Sequence, residues 1–419
     1  MPAYDPLALS EQLFSGELSI DERHPVTLAV QTQLAELQPG TAFVESLANV
    51  ACFDTGSSLV LVDCGGVGHM HQVHQVIRDW TASPLHTVVY THGHVDHVFG
   101  INVFANEEDI SATTVIAHEA VPARFDRYVL TNGYNAHINR RQFRLPQPWW
   151  PSDYHYPGVT YDDEMTAEVD GLRFEIRHDR GETDDHSWVW VPDRKVLCTG
   201  DLFIWAACNC GNPQKVQRYP ADWAEALRKM AALGAELLLP GHGLPIAGEE
   251  RVEQALLDTA EFLASIHDQT VALMNDGRTV NEIVHSVTVP DHLLDKPYLQ
   301  PVYDEPEFIV RNTWRLYGGW YSGDPAELKP SPAGELAGEL ARLAGGADVL
   351  AGRAVALAAA GELRLAGHLA QLAVQAEPDS PEAHRARAEV YRRRTEAERS
   401  TMASGIFNAA AEDSEQYLS

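Results

Sequence analysis

Four side chains that can bind metal fall within six residues of the segment THGHVDH: His92, His94, Asp96 and His97. The segment follows the apolar run LHTVVY, which is typical of a buried strand. His92 and His94 are two residues apart, so their side chains project in the same direction from an extended backbone. A cluster of histidines and a carboxylate in one turn is costly unless a cation lies between the ligands. The spacing therefore predicts a metal site after this strand.

Further carboxylates and imidazoles follow later strand-like runs. The segment RHDRGETDDH offers His178, Glu182 and His186, the run KVLCTGD ends in Asp201, and AELLLPGHG contains His242. A single Gly-Asp or Gly-His pair is common in ordinary turns. Their order along the chain, and their placement directly after strand ends, favour a shared site instead.

This order of motifs resembles the metallo-β-lactamase superfamily, in which an HxHxDH motif is followed by a third-histidine region, a Gly-Asp and a Gly-His. The resemblance covers roughly residues 25 to 250. It implies a four-layer αββα sandwich with the metals at one edge between the sheets. The expected fold class is α/β, with this sandwich followed by an all-α helical domain.

One position departs from the common pattern of the superfamily. Where most members have a histidine after Pro-Gly, this chain has Glu182 after Gly181, and a glutamate here resembles the alkylsulfatase branch. The alkylsulfatases commonly carry Glu at the bridging position, whereas this chain has the superfamily's usual Asp. From the sequence, His178 or His186 in place of Glu182 stays an open alternative. The ligands implied by the resemblance are His92, His94 and Glu182 for the first metal, Asp96, His97 and His242 for the second, and Asp201 as the bridge.

The second half of the chain resembles the same branch. The segment VRNTWRLYGGWYSGDPAELKP is similar to an alkylsulfatase segment that ends in Tyr-x-Gly-Trp-Tyr-x-Gly-x-Pro, and the Ala- and Leu-rich stretch after it resembles the helical dimerisation domain of those enzymes. A homodimer is therefore expected. Full-length secreted alkylsulfatases carry a further C-terminal domain that helps hold alkyl chains. Because this chain ends at Ser419, we expect long-chain detergents to be poor substrates.

Two divalent ions bridged by a carboxylate can hold a water and lower its pKa from about 15.7 toward about 7. The expected function is a dinuclear hydrolase of a sulfate ester or a related small anionic ester, acting through a metal-bound hydroxide, with Asp96 and Asp201 as catalytic carboxylates. We expect two Zn²⁺ ions per subunit, and manganese or iron would also be tolerated. The alternatives are a lactonase, thioesterase or β-lactamase-type hydrolase, or an iron oxidoreductase of the same fold.

An anionic substrate needs local hydrogen-bond donors and positive charge. The planar fork of arginine suits sulfate oxygens, and Arg218, shortly after Asp201, is one candidate. The insert between VIAHE and the next strand supplies Arg141, Tyr134 and Asn135. Long insertions of this kind are commonly binding loops. The aromatic residues of this insert either form an apolar wall for the substrate or pack against the helical domain.

Composition limits the partners and the location of the protein. The chain of 419 residues has 31 basic and 60 acidic residues and a formal charge of −29, so nucleic acid is an unfavourable partner. No apolar run of 18 residues indicates a membrane span. The N-terminal segment has neither the basic nor the apolar region of a secretory signal, and five cysteines suggest free thiols. We therefore expect a cytoplasmic enzyme with a small-molecule substrate.

The elements that must position these residues change in character along the chain. Up to about residue 248, short apolar runs alternate with turns and with helical stretches such as GGVGHMHQVHQVIRDWTA. Beyond it, helical spacing dominates. We predict a catalytic domain over residues 1–250, a helical connector with the YGGWYSGDP segment over 251–334, and a helical dimerisation domain over 335–419.

Overall fold

The computed structural model describes residues 4–22, 24, 26 and 32–419. The chain divides into two compact units, one formed by Met1–Asn132 and Pro151–Gly319, the other by Gly133–Trp150 and Trp320–Ser419. The domain boundaries that the sequence suggested near residues 250 and 334 stay predictions.

The strands of the first unit form two sheets. The first sheet has, in spatial order, β1 (Gln33–Gln38), β2 (Thr41–Glu45), β3 (Val50–Asp54), β4 (Leu59–Val62), β5 (Leu85–Val89), β6 (Thr114–His118) and β7 (Val159–Tyr161). The second sheet consists of β8 (Glu164–Val169), β9 (Leu172–His178), β10 (Ser187–Val191), β11 (Val196–Ile204), β12 (Leu237–His242) and β13 (Ile246–Ala247), in the spatial order β13-β12-β11-β10-β9-β8.

The helices, in chain order, are α1 (Pro6–Ser15), α2 (Met70–Trp80), α3 (Val95–Val98), α4 (Ile101–Glu107), α5 (Val121–Leu130), α6 (Asn132–Phe143), α7 (Pro220–Ala231), α8 (Glu249–Asn275), α9 (Val280–Val284), α10 (Asp291–Leu294), α11 (Pro306–Gly318), α12 (Pro325–Leu328), α13 (Ala333–Ala344), α14 (Ala347–Ala359), α15 (Leu363–Ala376), α16 (Pro381–Ala397) and α17 (Thr401–Leu418). Short 3-10 turns occupy Pro192–Arg194 and Pro297–Leu299. None of the helices in the described part of the chain is long and apolar enough to cross a membrane.

Each sheet mixes parallel and antiparallel pairs. From β4 to β7 the neighbours run parallel, and β11 and β12 form the parallel pair of the second sheet. β4 is a fully buried apolar run, and β5 and β6 are buried at all but one position each, because both faces of such strands are covered. Parallel pairing places the carboxyl ends of neighbouring strands at the same edge of a sheet, which is where the predicted ligands occur.

The first unit has one hydrophobic core between the two sheets and another between the second sheet and the helices α7 and α8. Phe53 of β3 and Phe174 of β9 meet edge to face, with ring centroids 5.3 Å apart, and Val60, Ile176 and Val189 are buried in the same cluster. On the outer faces, α2 packs against β1 and β2, whereas α7 and α8 pack against β11 to β13. The predicted α/β class, a layered sandwich followed by helices, is confirmed.

The insert that the sequence suggested as a binding loop is helical up to Phe143 and irregular from there to β7. Val121, Phe125 and Tyr128 are all buried on α5 at spacings of four and three residues, the pattern of an amphipathic helix. α6 follows directly. The polar strands β1 and β8 carried too weak an apolar signal for prediction, because their side chains are largely intermediate or exposed.

The second unit is built mainly from the consecutive helices α13 to α17. Small side chains such as Ala341, Ala351, Ala373 and Ala383 are buried between them, so the helices approach closely. A Gly345-Gly346 pair with positive φ ends α13 and starts the turn to α14. The Ala-rich sequence thus forms the packed helical array that its composition predicted.

Candidate metal centre

The predicted ligands lie where strands of the two sheets end. His92 and His94 follow β5, α3 carries Asp96 and His97, Glu182 lies in the turn between β9 and β10, and Asp201 and His242 belong to β11 and β12. The side chains form two groups, His92, His94, Glu182 and Asp201 in one and Asp96, His97 and His242 in the other, and within each group the ligand atoms lie within 4.8 Å of one another.

The first group is closely packed and mostly buried. Nε2 of His92 lies 2.8 Å from Nδ1 of His94. Oε2 of Glu182 lies 3.3 Å from that His92 nitrogen and 3.2 Å from that His94 nitrogen. Glu182 is only 1% exposed. Two imidazole nitrogens and one carboxylate oxygen converge on one point, as the ligands of a single ion do.

Asp201 belongs to the first group and also reaches the second. Its Oδ2 is 3.7 Å from Nε2 of His92 and 3.3 Å from Nε2 of His242, and its Oδ1 is 3.3 Å from Nε2 of His97. Asp96 completes the second group, with Oδ2 3.5 Å from Nε2 of His242. One carboxylate therefore reaches ligands of both groups, which is the geometry that a bridge between two ions requires.

Three of these ligand atoms are buried and make no hydrogen bond among the described residues: Nε2 of His97, Oε2 of Glu182 and Oδ1 of Asp201. A buried polar atom without a hydrogen bond costs free energy. Imidazole nitrogens and carboxylate oxygens are also ligands that divalent ions such as Zn²⁺ prefer. The residues present therefore fit a divalent metal cofactor.

The electrostatics of the site favour positive charge on the imidazoles of the second group. Burial opposes it, but the Asp201 carboxylate raises the pKa of His97 well above its usual range and that of His242 to about 9. Burial also opposes ionisation of Glu182, yet Arg218 and His94 hold the pKa of that carboxyl well below its usual value. For His94 burial dominates and lowers the pKa to about 4. Ionised carboxylates beside largely buried imidazoles suit a cation.

Asp63, which directly follows β4, orients the second group. Its Oδ2 lies 2.7 Å from Nδ1 of His97, and its carboxylate accepts hydrogen bonds from the N–H and the hydroxyl of Thr91. With Nδ1 engaged, Nε2 of His97 faces Asp201. The φ angle of Asp63 is 60°, a left-handed conformation that is costly for a residue with a side chain. The strained residue is thus the one whose carboxylate orients the predicted ligand His97.

Two glycines allow β11 and β12 to approach at the site. Gly200 precedes Asp201 and has a φ of 53°. Gly241 precedes His242, and a Cβ atom there would clash with the Asp201 carboxylate and with the Gly200 backbone. The Gly-Asp and Gly-His pairs in the sequence therefore have a steric cause.

A buried ion pair holds the backbone between His92 and His94. Oδ2 of Asp185 accepts hydrogen bonds from the N–H of Gly93 at 3.1 Å and from Nε of Arg124 at 2.6 Å. Burial opposes ionisation of Asp185, but the Arg124 guanidinium holds the pKa of this carboxyl below its usual range. Arg124 is 3% exposed, and its Nη2 also pairs with the carboxylate of Asp184, so the guanidinium is bound by two carboxylates rather than by solvent.

The structure brings Glu182 into the first group and leaves both alternative histidines outside it. Nδ1 of His178 is 2.8 Å from the backbone oxygen of His186. The ring of His186 stacks on that of His92 at 4.6 Å, and its Nε2 accepts the N–H of Asp201 at 3.1 Å. His186 thus supports the predicted ligands His92 and Asp201 without belonging to either group.

The residues suggested as substrate contacts occupy different places. Arg218 lies in the first unit, 3% exposed, with its guanidinium against Glu182. Arg141, Tyr134 and Asn135 lie on α6, in the second unit. Asn135 is buried there, whereas Tyr134 is 62% exposed. Their assignment to substrate binding stays a prediction.

Sequence reasoning missed Asp63 and Asn209, which contact the predicted ligands His97 and Glu182. Asp63 carries a signal that could have found it, since it is an acidic residue between an apolar run and Gly65-Gly66. Asn209 lies in CNC, where the cysteines drew attention instead; Cys208 and Cys210 are free and buried.

Comparison with known proteins agrees with this arrangement. Residues 45–242 match the family model of the metallo-beta-lactamase superfamily, and residues 279–416 match the model for alkyl sulfatase dimerisation. These matches place residues 45–242 in the metallo-β-lactamase superfamily and residues 279–416 in the alkyl sulfatase dimerisation family, the combination that the motifs of the alkylsulfatase-like branch predicted.

Several relatives are similar over most of this chain. A linear primary-alkylsulfatase of Pseudomonas sp. is 29% identical over 358 residues, which are 80% of this chain and 68% of the relative. An (R)-specific secondary-alkylsulfatase of Pseudomonas sp. is 26% identical over 381 residues, 84% of this chain and 58% of the relative. An alkyl/aryl-sulfatase of Saccharomyces cerevisiae is 24% identical, over 80% of this chain and 56% of the relative. The chain thus spans between 56% and 68% of the length of these relatives.

A solved structure shares the fold. The stereoselective inverting sec-alkylsulfatase from Pseudomonas sp. superposes with a TM-score of 0.82 at 23% sequence identity, over 91% of this chain and 66% of that chain. At this identity the similarity concerns the fold.

The contact between Asp63 and His97 leads to a first prediction. Asp63→Asn keeps the shape of the side chain but removes the charge that orients and polarises the imidazole. Loss of such a partner typically weakens metal binding about 10- to 100-fold, so we expect that loss for zinc in competition titrations with a chromophoric chelator.

The matched control is Asp170→Asn. Asp170 also has a positive φ and accepts hydroxyl hydrogen bonds, from Thr55 and Ser57. It should keep the zinc affinity of the unmodified protein. Equal affinities for all three proteins would mean that Asp63 has no part in metal binding.

Proposed function

We propose that the protein is a metal-dependent hydrolase of sulfate esters, with two divalent ions held in each subunit. The observation that carries the proposal is the position of Asp201 between a His-His-Glu group and an Asp-His-His group. The relatives named as alkylsulfatases support the choice of a sulfate ester over other esters.

The charges of the ligand set support an anionic substrate. The ligands include three carboxylates, Glu182, Asp201 and Asp96. Their negative charge is smaller than the positive charge of two divalent ions, so the occupied site would be positive. The occupied site would therefore attract an anion locally, even though the whole chain has a formal charge of −29.

When bound, the ions would supply an activated water and a positive charge for the sulfate oxygens. The residues of the chain supply the geometry. Asp201 keeps the two ligand groups at a fixed spacing, because β11 is paired with β10 on one side and β12 on the other. The N–H of Asp201 donates to His186, which fixes the carboxylate further. Burial of the ligands keeps bulk water from competing for them.

We further propose zinc as the native metal. The ligands of the two groups combine imidazole nitrogens with carboxylate oxygens, which zinc binds readily. The oxygen-rich set would also accept manganese or iron. Elemental analysis of the protein as purified, with the number of ions per subunit, distinguishes these metals.

A substrate panel tests the proposed activity. The zinc, manganese and iron forms would be incubated with 1-octyl sulfate, 2-octyl sulfate and an aryl sulfate, and in parallel with a lactone, a thioester and a β-lactam. We expect release of inorganic sulfate that stops after chelation and returns when metal is restored. Faster hydrolysis of a lactone, thioester or β-lactam, or no sulfate release by any metal form, would contradict the proposal.

Asp201→Asn tests the bridge. The amide keeps the shape of the side chain but is a poor ligand between two cations. We expect loss of the second ion more than the first, since the first keeps His92, His94 and Glu182. Turnover should fall by about 100-fold or more, because misplaced reacting groups cost about this much. Metal content, sulfate release and circular dichroism would be measured on one preparation.

Asp193→Asn is the control, since Asp193 lies in the turn that precedes β11, before the strand reaches the site. It should retain both ions and full turnover. Two ions and near-native turnover in Asp201→Asn would show that Asp201 is a turn residue and would remove the bridged mechanism.

We also propose that the protein is a homodimer. Leu336, Leu340 and Leu343 are spaced along one face of α13 and are 53%, 37% and 78% exposed. Exposed leucines in a row are unusual on a surface that contacts only water. The family model that covers this helix describes alkyl sulfatase dimerisation, which supports a second copy of the chain as the partner.

Light scattering tests the homodimer. The unmodified protein should have the mass of two chains, and the double variant Leu340→Arg/Leu343→Arg should have the mass of one, because two buried charges would oppose the contact. Leu130→Arg, at an 83% exposed position on α5, serves as the control and should stay dimeric. A monomeric unmodified protein would refute the proposal.

A further inference from the structure

The two carboxylate oxygens of Glu182 have different surroundings. Oε2 faces the imidazole nitrogens of His92 and His94. Oε1 faces away from them, toward Nη1 of Arg218 at 2.5 Å, and accepts a hydrogen bond from the amide of Asn209. One oxygen is thus saturated by donors while the other points toward the predicted ligands.

Arg218 and Asn209 also hold each other. The same Nη1 of Arg218 donates to the backbone oxygen of Asn209 at 2.7 Å. Both side chains are buried, with exposures of 3% and 8%. A guanidinium and an amide that share one carboxylate oxygen leave that side chain little rotational freedom.

The backbone around Arg218 is fixed from two sides. Asn312 of α11 accepts the N–H of Arg218 at 3.3 Å and donates to its carbonyl oxygen at 3.0 Å. Arg315, one turn further along α11, donates to the Asn312 side chain at 3.0 Å. The N–H of Tyr219 donates to the carbonyl oxygen of Gly181, the residue before Glu182, at 3.0 Å. The segment that carries the guanidinium is therefore tied both to α11 and to the turn that carries Glu182.

We infer that Arg218 and Asn209 are positioning residues that present Glu182 to the first ion through one oxygen only. The inference rests on the proposed function in one respect, that Glu182 is a metal ligand. Partners of this kind orient metal ligands and tune their strength. The guanidinium also places a positive charge directly against the Glu182 carboxylate.

The sequence suggested Arg218 as a contact of the substrate. Its low exposure and its two short contacts, to Glu182 and to Asn209, favour the positioning role instead. The role also gives α11 a function in the metal site, because Asn312 holds the backbone of Arg218. This helix lies within the region that matches the dimerisation model.

The test compares Arg218→Met, Arg218→Lys and Asn209→Ala in the full chain, loaded with Co²⁺ as a spectroscopic probe and with Zn²⁺ for affinity. Arg218→Met should weaken the binding of one of the two ions about 10- to 100-fold and change the visible absorption of cobalt. The affinity for the other ion should stay unchanged. Arg218→Lys should recover part of the affinity, because it restores the charge without the planar fork. Asn209→Ala, which leaves the guanidinium in place, should produce a smaller change at the same ion.

Arg194→Met is the matched control. Arg194 is a partly buried arginine of the same unit and lies in the turn before β11. Its guanidinium donates hydrogen bonds to the Gly40 carbonyl and the Thr41 hydroxyl. It should leave the cobalt spectrum and both affinities unchanged, so a general effect of removing a structural arginine would be recognised.

The outcomes separate the inference from the proposed function. If the unmodified protein binds two ions and Arg218→Met binds both with the same affinity and spectrum, the positioning role is overturned and the proposed function stands. If the unmodified protein binds no Co²⁺ or Zn²⁺, the proposed function itself fails. If Arg218→Met does not fold, Asn209→Ala decides, and an unchanged cobalt spectrum in that variant overturns the inference.

Discussion

The contact of Asp201 with both groups of predicted ligands is the interaction on which the rest of the site depends. Its two oxygens lie 3.3 to 3.7 Å from imidazoles of both groups. β11 and β12 approach closely enough to place the carboxylate there because Gly241 has space only for a hydrogen beside it. The parallel pairing of these strands, and the helices that pack on them, therefore serve to place one carboxylate.

Around this contact, charged and polar partners compensate the free-energy cost of burying the ligand side chains. Carboxylates and imidazoles lie together at the edge between the sheets, and several of them are held by partners outside the ligand set. Asp63 holds His97, Arg218 holds Glu182, and Asp185 with Arg124 holds the backbone of the first motif. The partners come from strand ends, turns and α5, so metal binding by the ligands would be coupled to folding of much of the first unit.

The sequence predicted the parts of this site that are local. His92, His94, Asp96 and His97 share one turn, so their spacing alone indicated a metal, and the later Gly-Asp and Gly-His pairs indicated the fold class and the family, which are confirmed. The partners were hidden because they are contacts between distant segments: Asp63 meets His97 across 34 residues and Asn209 meets Glu182 across 27. Arg218 was recognised near the site, but its burial against Glu182 depends on α11, almost a hundred residues later. The helical form of the insert was likewise masked by its polar and aromatic composition.

The dinuclear arrangement is tested most directly by diffraction from crystals of the metal-loaded protein at the absorption edge of the metal. A bridge at Asp201 predicts two anomalous peaks about 3.5–4 Å apart, one beside His92, His94 and Glu182, the other beside Asp96, His97 and His242, with an oxygen of Asp201 in contact with each. A single peak, or two peaks that Asp201 does not join, would contradict it.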